Sequence, residues 1–186
     1  FQHTALFPEH LPRGVGVNGM LSIEGKKMSK SKGNFITLKD ALNQFGADAT
    51  RCALLLGGEG MNDPDWRKET VRDVKTKLRG FQSLTDSIIE NANEPEKGHL
   101  ETWLISTLQH RIRTVTESME ALKTRTALEN ALFEIWNDFR WYSRRKESFN
   151  SNFLKQALET WTLLLAPFAP YMCEELWSTL GHETFV

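Results

Sequence analysis

The stretch LETWLISTLQHRIRTVTESMEAL, residues 100–122, decides the class of fold. Its apolar residues recur at intervals of one, three or four along the whole stretch: Leu100, Trp103, Leu104, Leu108, Ile112, Val115, Met119 and Leu122. Because an α-helix turns once every 3.6 residues, this spacing puts them on one side of a helix. The stretch therefore predicts a long amphipathic helix that buries one face against other helices.

Helical spacing of apolar residues continues on both sides of this stretch. It is present at 66–89 before it, and at 128–139, 153–165 and 171–180 after it. The interval between Thr126 and Glu129 has the form of a capping box and predicts the start of the 128–139 helix. Four main helices with short connections predict a bundle in which the Trp and Leu residues form the core.

A cluster of turn residues separates this bundle from the first part of the chain. Gly, Asn, Asp and Pro crowd residues 57–65, and the helical spacing begins directly after them. We predict a division near residue 62, giving one unit at 1–62 and the helical bundle at 63–186. The fold class is thus mainly α, a helical bundle preceded by a small α/β unit.

The first unit has its own start and stop signals. Alternating apolar residues at 15–23 predict a strand or hairpin, and Thr37 with Asp40 predicts a capping box that starts a short helix ending near Gly46. The loop between strand and helix therefore has both ends fixed by regular structure.

Composition limits the possible functions. The chain has 186 residues, of which 40% are hydrophobic, and this composition predicts a globular protein with a hydrophobic core. Its net charge is −1, so it has no overall positive charge with which to bind nucleic acid. It has no long apolar run and no secretory leader pattern, and this composition is typical of a cytosolic protein. Cys52 and Cys173 have no metal-binding spacing and are expected to be buried apolar residues.

Two local clusters of basic residues are candidates for binding phosphate. The first, here called the basic stripe, lies on one face of the 66–89 helix and consists of Lys68, Arg72, Lys75 and Arg79. The second is Arg140, Arg144, Arg145 and Lys146, near Trp141. Either cluster is equally compatible with a solvated surface, and an arginine packed on Trp141 is a further ordinary explanation for the second.

A third basic segment, residues 26–34, is called the lysine loop. It reads Lys-Lys-Met-Ser-Lys-Ser-Lys-Gly-Asn, with four lysines for phosphate oxygens, two serine hydroxyls and a glycine that permits a positive φ. Solvated loops also have such compositions. A loop of this kind fixed between a strand and a helix start, however, favours a phosphate site.

The lysine loop resembles the second signature motif of class I aminoacyl-tRNA synthetases, Lys-Met-Ser-Lys-Ser, at residues 27–31. Three other stretches are similar to that family: Gly-Ala-Asp-x-x-Arg at 46–51, Asp-Pro-Asp-Trp-Arg at 63–67, and the helix-break-helix at 165–177. From the residues alone, we expect Asp48 and Arg51 to form an ordinary surface ion pair, and the alternative is that Arg51 braces a neighbouring loop. The resemblance implies a helical anticodon-binding domain after the end of a catalytic domain.

Two features resemble the archaeal type of leucyl-tRNA synthetase among these enzymes. Asn-Gly stands at 18–19, where isoleucyl and valyl enzymes usually have His-Gly, and residues 7–14 read Phe-Pro-Glu-His-Leu-Pro-Arg-Gly. Isoleucyl, valyl and methionyl enzymes remain alternatives. A non-catalytic helical module that binds RNA or protein is an alternative of another class.

The resemblance implies ATP, with its Mg²⁺, as substrate, and leucine and its tRNA as partners. Lys27 and Lys30 would be the catalytic residues, Ser29 and Ser31 would hydrogen-bond loop or phosphate, and Met28 would anchor the loop by apolar packing. The basic stripe would contact tRNA phosphates. The chain lacks the His-x-Gly-His-like signature of the nucleotide-binding half, so we expect a carboxyl-terminal piece that is inactive alone.

Overall fold

The computed structural model of the chain describes residues 5–7, 9–10, 14, 17–90, 98–146 and 150–186. Val15, part of the predicted strand, lies outside these residues, as does half of the stretch at 7–14. Within the described residues, short strands and two short helices come first, and the helices of the bundle follow. The predicted fold class, a mainly α bundle after a small α/β unit, is confirmed.

The α/β unit is built on a three-stranded sheet. Its strands are β1 (Ser22–Ile23), β2 (Lys26–Lys27) and β3 (Asp65–Trp66), in the order β2-β1-β3. β1 pairs antiparallel with β2, with Ser22 opposite Lys27, and parallel with β3, with Ser22 opposite Asp65. Of the strand or hairpin predicted at 15–23, the described residues 17–21 are not in a strand, and only Ser22–Ile23 form one; with β2 it makes the hairpin that leads into the lysine loop. β3, which pairs with the other side of β1, comes from beyond the turn-rich cluster.

Two helices complete this unit, α1 (Leu38–Phe45) and α2 (Ala47–Leu56). The predicted cap at the start of α1 is present, since the Thr37 side chain accepts a hydrogen bond from the Asp40 N–H at 3.1 Å. Gly46 has φ +88° and separates the two helices. Phe45 packs against Trp66 of β3 with 5.9 Å between ring centroids, which fixes these helices on the sheet.

The bundle begins directly after β3. Its helices are α3 (Lys68–Glu90), α4 (His99–Glu120), α5 (Thr124–Leu128), α6 (Ile135–Ser143), α7 (Ser151–Leu165) and α8 (Pro170–Thr179). The predicted core faces are largely buried, and the ring of Trp161 in α7 stacks on Phe81 of α3 at 3.7 Å and on Phe139 of α6 at 4.9 Å. Leu122 departs from the prediction: its helix ends at Glu120, and Leu122 follows with φ +56° and is 73% exposed. Apart from this end, helical periodicity located the core correctly.

A π-helical segment, Glu129–Glu134, joins α5 to α6 and makes one continuous rod of them. At its end the Ile135 N–H bonds to the Asn130 oxygen, one residue further back than in an α-helix. The Ala131 oxygen in the same segment accepts the indole N–H of Trp161 at 2.7 Å. The irregular turn therefore satisfies the one polar atom of a fully buried tryptophan.

The predicted capping box at Thr126 and Glu129 is wrong. The helix begins two residues earlier, at Thr124, and the Thr126 N–H and hydroxyl both donate to the carboxylate of Glu59, at 2.9 and 3.0 Å. Glu129 instead pairs with Arg125 one turn away at 2.9 Å. A carboxylate distant in sequence thus replaces the local cap.

The division near residue 62 stays a prediction. The described residues on its two sides are closely joined, since β3 pairs with β1 and α2 packs along α3. Among the described helices, none is long and apolar enough to cross a membrane.

Candidate phosphate and RNA interface

The lysine loop is a tight turn at the end of β2. The Ser29 N–H donates to the Asn34 oxygen at 2.9 Å, and the Gly33 N–H donates to the Lys30 oxygen at 3.1 Å. Gly33 has φ +67°, as predicted from its place in the turn. The loop therefore closes on itself by backbone bonds and leaves its side chains outside.

Those side chains face solvent. Lys26, Lys27, Lys30 and Lys32 are exposed, and none of them forms an ion pair with a carboxylate of the described residues. The Ser29 and Ser31 hydroxyls lie 3.0 Å apart, and Met28 is 38% exposed. A cluster of unpaired ammonium groups and hydroxyls is suited to binding a polyphosphate.

The hairpin that leads into the loop is held by two carboxylates. Asp65 accepts hydrogen bonds from the Gly25 N–H and the Ser22 hydroxyl, each at 2.8 Å, and pairs with Arg67 at 2.7 Å. The bond from Gly25 and those from Arg67 and Ser22 lower the pKa of Asp65. Glu24 accepts a hydrogen bond from the Lys68 N–H, at the first residue of α3, at 3.0 Å.

The basic stripe lies along α3 beside a groove. Lys68, Arg72 and Arg79 are exposed and Lys75 is half-buried. Lys75 and Arg79 line a groove of about 460 Å³ between α3, the start of α2 and α8, which Tyr171, Asp48 and Glu175 also line. The structure thus brings the stripe residues to one face, as predicted, and adds a wall that carries both an exposed aromatic ring and acidic groups.

The second basic cluster is divided between two roles. Arg145 packs over the Trp141 ring at 3.9 Å, which is the cation–π explanation, and Arg140 and Arg144 are exposed. Lys146 instead reaches inward and pairs with Glu101. This partner was not predictable from local spacing, because 45 residues separate Lys146 from Glu101.

Glu101 is the centre of a buried polar network. It is 1% exposed, and besides Lys146 it accepts bonds from the Tyr142 hydroxyl at 2.6 Å and the Gly98 N–H at 2.8 Å. Burial by itself would raise the pKa of Glu101, but these three hydrogen bonds together outweigh it and lower the pKa to about 2. Burial, and the bond to Glu101, raise the pKa of Tyr142.

Asp48 and Arg51 do not form the surface ion pair expected of them. Arg51 donates to the oxygens of Phe168 at 3.3 Å and Pro167 at 3.1 Å, while Asp48 accepts the Met172 N–H at 2.7 Å. Both side chains therefore hold the break between α7 and α8. A spacing of three residues suggested a local pair, but the backbone groups at the break, which the helices themselves leave without intrahelical partners, compete better for both side chains.

Cys52 and Cys173 are buried, as expected, and burial raises the pKa of Cys52 to about 12. In the part of the chain that the structure describes, no group of three or more His, Cys, Asp or Glu residues is arranged to hold a metal ion.

Comparison with protein families matches both parts of the chain. Residues 101–186 match the family model described as anticodon-binding domain of tRNA ligase. Residues 3–85 match the model described as tRNA synthetases class I (M). The second match contains the lysine loop, and the first contains the helices from α4 onward.

Similar curated proteins are leucine–tRNA ligases of archaea. That of Archaeoglobus fulgidus is 44% identical, with 100% of this chain and 19% of the relative covered. Those of Pyrococcus furiosus and Methanococcoides burtonii are 40% and 38% identical, covering 100% and 98% of this chain and 20% and 19% of the relatives. The chain thus spans about a fifth of the length of these relatives.

One solved structure is similar in both sequence and fold. It is the Agrobacterium radiobacter K84 agnB2 LeuRS, crystallised in a ternary complex with tRNA and LeuAMS. The TM-score is 0.77 at 25% identity, over 90% of this chain and 22% of that chain.

Proposed function

The chain belongs to the class I tRNA synthetases, and we propose that it works within a longer leucine–tRNA ligase, where it supplies the ATP-binding loop and helices that position tRNA. The observation that carries this proposal is the lysine loop. It presents four lysines without carboxylate partners among the described residues, on a hairpin fixed to the first turn of α3. The archaeal leucine–tRNA ligases, which match along the whole chain, support leucine as the amino acid.

The reaction has two steps. The carboxylate of leucine attacks the α-phosphorus of Mg-ATP, which gives leucyl-adenylate and releases pyrophosphate. A hydroxyl of the terminal ribose of tRNA then attacks the carbonyl carbon of the adenylate, which transfers the leucyl group to tRNA and releases AMP. Mg²⁺ would arrive with the phosphates of ATP. This activity belongs to protein synthesis, and we propose the cytoplasm as its location.

Lys27 and Lys30 act on the first step. Negative charge accumulates on the departing pyrophosphate, and two ammonium groups placed there stabilise the transition state more than the ground state. We assign the larger share to Lys30, which matches the second lysine of the motif, and hydrogen bonding to Ser29 and Ser31. Lys26 and Lys32 lie outside the motif and serve as solvated charge.

The basic stripe is proposed to bind tRNA. Lys68, Arg72, Lys75 and Arg79 would contact backbone phosphates rather than bases, because single cationic side chains on a helix surface recognise charge and not sequence. The groove beside Lys75 and Arg79 would hold the tRNA backbone. Binding through these residues would weaken steeply with added salt.

The test is pyrophosphate exchange into ATP by the full-length protein, with leucine, isoleucine, valine and methionine supplied one at a time. We expect exchange with leucine alone, and charging of leucine tRNA when tRNA is added. Exchange with another of the four would reassign the substrate, and methionine is included because of the family model that matches residues 3–85. No exchange with any amino acid would favour a non-catalytic RNA- or protein-binding module.

A further inference from the structure

Three helices of the bundle have a carboxylate from the first unit of the chain, residues 1–62, against their first turn. Glu24 accepts the Lys68 N–H of α3 at 3.0 Å, Glu59 accepts the Thr126 N–H of α5 at 2.9 Å, and Asp48 accepts the Met172 N–H of α8 at 2.7 Å. Each carboxylate thus satisfies an N–H group that has no partner inside its helix. All three contacts connect parts of the chain more than 40 residues apart.

Glu24 differs from the other two in where it lies. It occupies the turn between β1 and β2 in a left-handed conformation with φ +50°, followed by Gly25 with φ +73°. Residues other than glycine rarely adopt this conformation, so the surroundings must hold it in place. They do so through the bond from the Glu24 N–H to the Trp66 oxygen at 3.0 Å and from the Gly25 N–H to Asp65 at 2.8 Å.

This turn leads directly into the lysine loop. β2, Lys26–Lys27, follows Gly25 without any intervening residue, so the direction of the turn sets the position of Lys27. At its other end the Glu24 side chain holds Lys68, which is both the first residue of α3 and the first of the basic stripe. Glu24 therefore contacts α3, the helix proposed to bind tRNA, and belongs to the hairpin that leads into the lysine loop, which is proposed to bind ATP.

We infer that Glu24 is a positioning residue, which fixes the lysine loop relative to α3 and so relates the placement of ATP to the seating of tRNA. Asp65, the first residue of β3, assists by accepting a hydrogen bond from the Gly25 N–H. The inference rests on the proposed function for its kinetic consequence, but the geometric part can be tested without it.

The kinetic test compares variants in the full-length protein by pyrophosphate exchange with leucine. Glu24→Ala removes the acceptor for the Lys68 N–H, and we expect kcat to fall about tenfold while KM for leucine stays within about twofold, because displacement of a charged group affects the transition state most. Glu24→Gln keeps a carbonyl oxygen at the same place and is expected to retain kcat to within about twofold. A purely electrostatic role would not be rescued by glutamine.

The control is Glu59→Ala. It removes a carboxylate cap of the same kind from α5, and within the described part of the chain the hydrogen bonds of the Glu59 side chain go to Thr126 and not to the hairpin or α3. We expect it to lower thermal stability and to leave the kcat of exchange unchanged. The pair of variants thus separates the loss of a helix cap from the loss of loop positioning.

The second readout is hydrogen–deuterium exchange, followed by mass spectrometry in the same full-length proteins. Glu24→Ala should speed exchange of the backbone amides at 26–34 several-fold and leave 124–135 unchanged, and Glu59→Ala should do the reverse. If Glu24→Ala leaves exchange at 26–34 at the wild-type rate, the inference is overturned. If wild type shows no pyrophosphate exchange with any amino acid, the proposed function fails, while the amide exchange still decides whether Glu24 positions the loop.

Discussion

The network around Glu101 predicts a defined loss of stability in acid. Its carboxylate is buried and accepts hydrogen bonds from Lys146, Tyr142 and Gly98. The pKa of Glu101 is lowered from 4.5 to about 2, a difference of about 2.5 units, and each unit corresponds to about 1.4 kcal/mol. Ionised Glu101 therefore contributes about 3–4 kcal/mol to the free energy of unfolding, and about 3 kcal/mol of it is lost by about pH 2.

The sign of the effect follows from the direction of the shift. Because the pKa is lower in the folded state, the folded chain holds fewer protons on this group than the unfolded chain between the two pKa values. The contribution is fully present above about pH 5 and is lost as the pH falls toward about 2. At the acid end, the protonated carboxyl no longer pairs with Lys146.

The assay is urea unfolding of the chain, followed by tryptophan fluorescence at several pH values between about 5 and about 2. Glu101→Gln removes the titrating group, so wild type should lose about 3 kcal/mol more than this variant across the window. Glu117→Gln is the matched control, since Glu117 lies on the same helix with an exposed side chain. It should follow the wild-type profile.

A constant difference between wild type and Glu101→Gln over this pH range would refute the reasoning. It would mean that the proton on Glu101 does not distinguish the folded from the unfolded chain. The hydrogen bonds to Tyr142 and Gly98 would then contribute through geometry alone.

Three further changes test other parts of the account. Gly80→Ala should destabilise the chain by about 1–3 kcal/mol in urea unfolding, because the added Cβ would lie 2.5 Å from the Trp136 ring. Alanine has the better helix propensity, so a more stable variant would contradict this close packing. Asp48→Ala should cost about 1 kcal/mol by the same assay, since it removes the cap of α8, whereas Asp48→Asn should cost less, and equal losses would argue against the cap. Arg72→Glu with Lys75→Glu in the full-length protein should weaken tRNA binding at least about tenfold at low salt and flatten its dependence on salt, as measured by filter binding; unchanged affinity would assign both residues to the solvated surface.

The helices and their core were predictable because their signals are local. The spacing of Val71, Val74 and Leu78, for example, depends only on the turn of an α-helix, and all three residues are buried in α3. The cap at Thr37 also follows from a neighbour three residues away. The lysine loop was found for the same reason, since its composition and its flanking elements are read from one short stretch.

The contacts that join the two parts of the chain were not predictable. Glu24, Glu59 and Asp48 each bind a backbone N–H group more than 40 residues away, and a glutamate in a loop carries no sign of which helix it will cap. Arg51 was expected to pair with Asp48, and the alternative role, bracing a neighbouring loop, is the one observed; the spacing does not show which loop is braced. The π-helical segment was also missed, since the reason for it is the distant indole of Trp161.

The lysine loop's action on the leaving pyrophosphate is the central claim, and pyrophosphate exchange with leucine by the full-length Lys30→Ala and Lys32→Ala variants tests it most directly. Both residues are exposed cations of the same turn, so a general loss of positive charge would affect the two variants alike. We predict that Lys30→Ala lowers kcat by a factor on the order of 100, with KM for leucine nearly unchanged, and that Lys32→Ala stays within about threefold of wild type. Equal effects of the two substitutions, or a normal kcat in Lys30→Ala, would contradict the account.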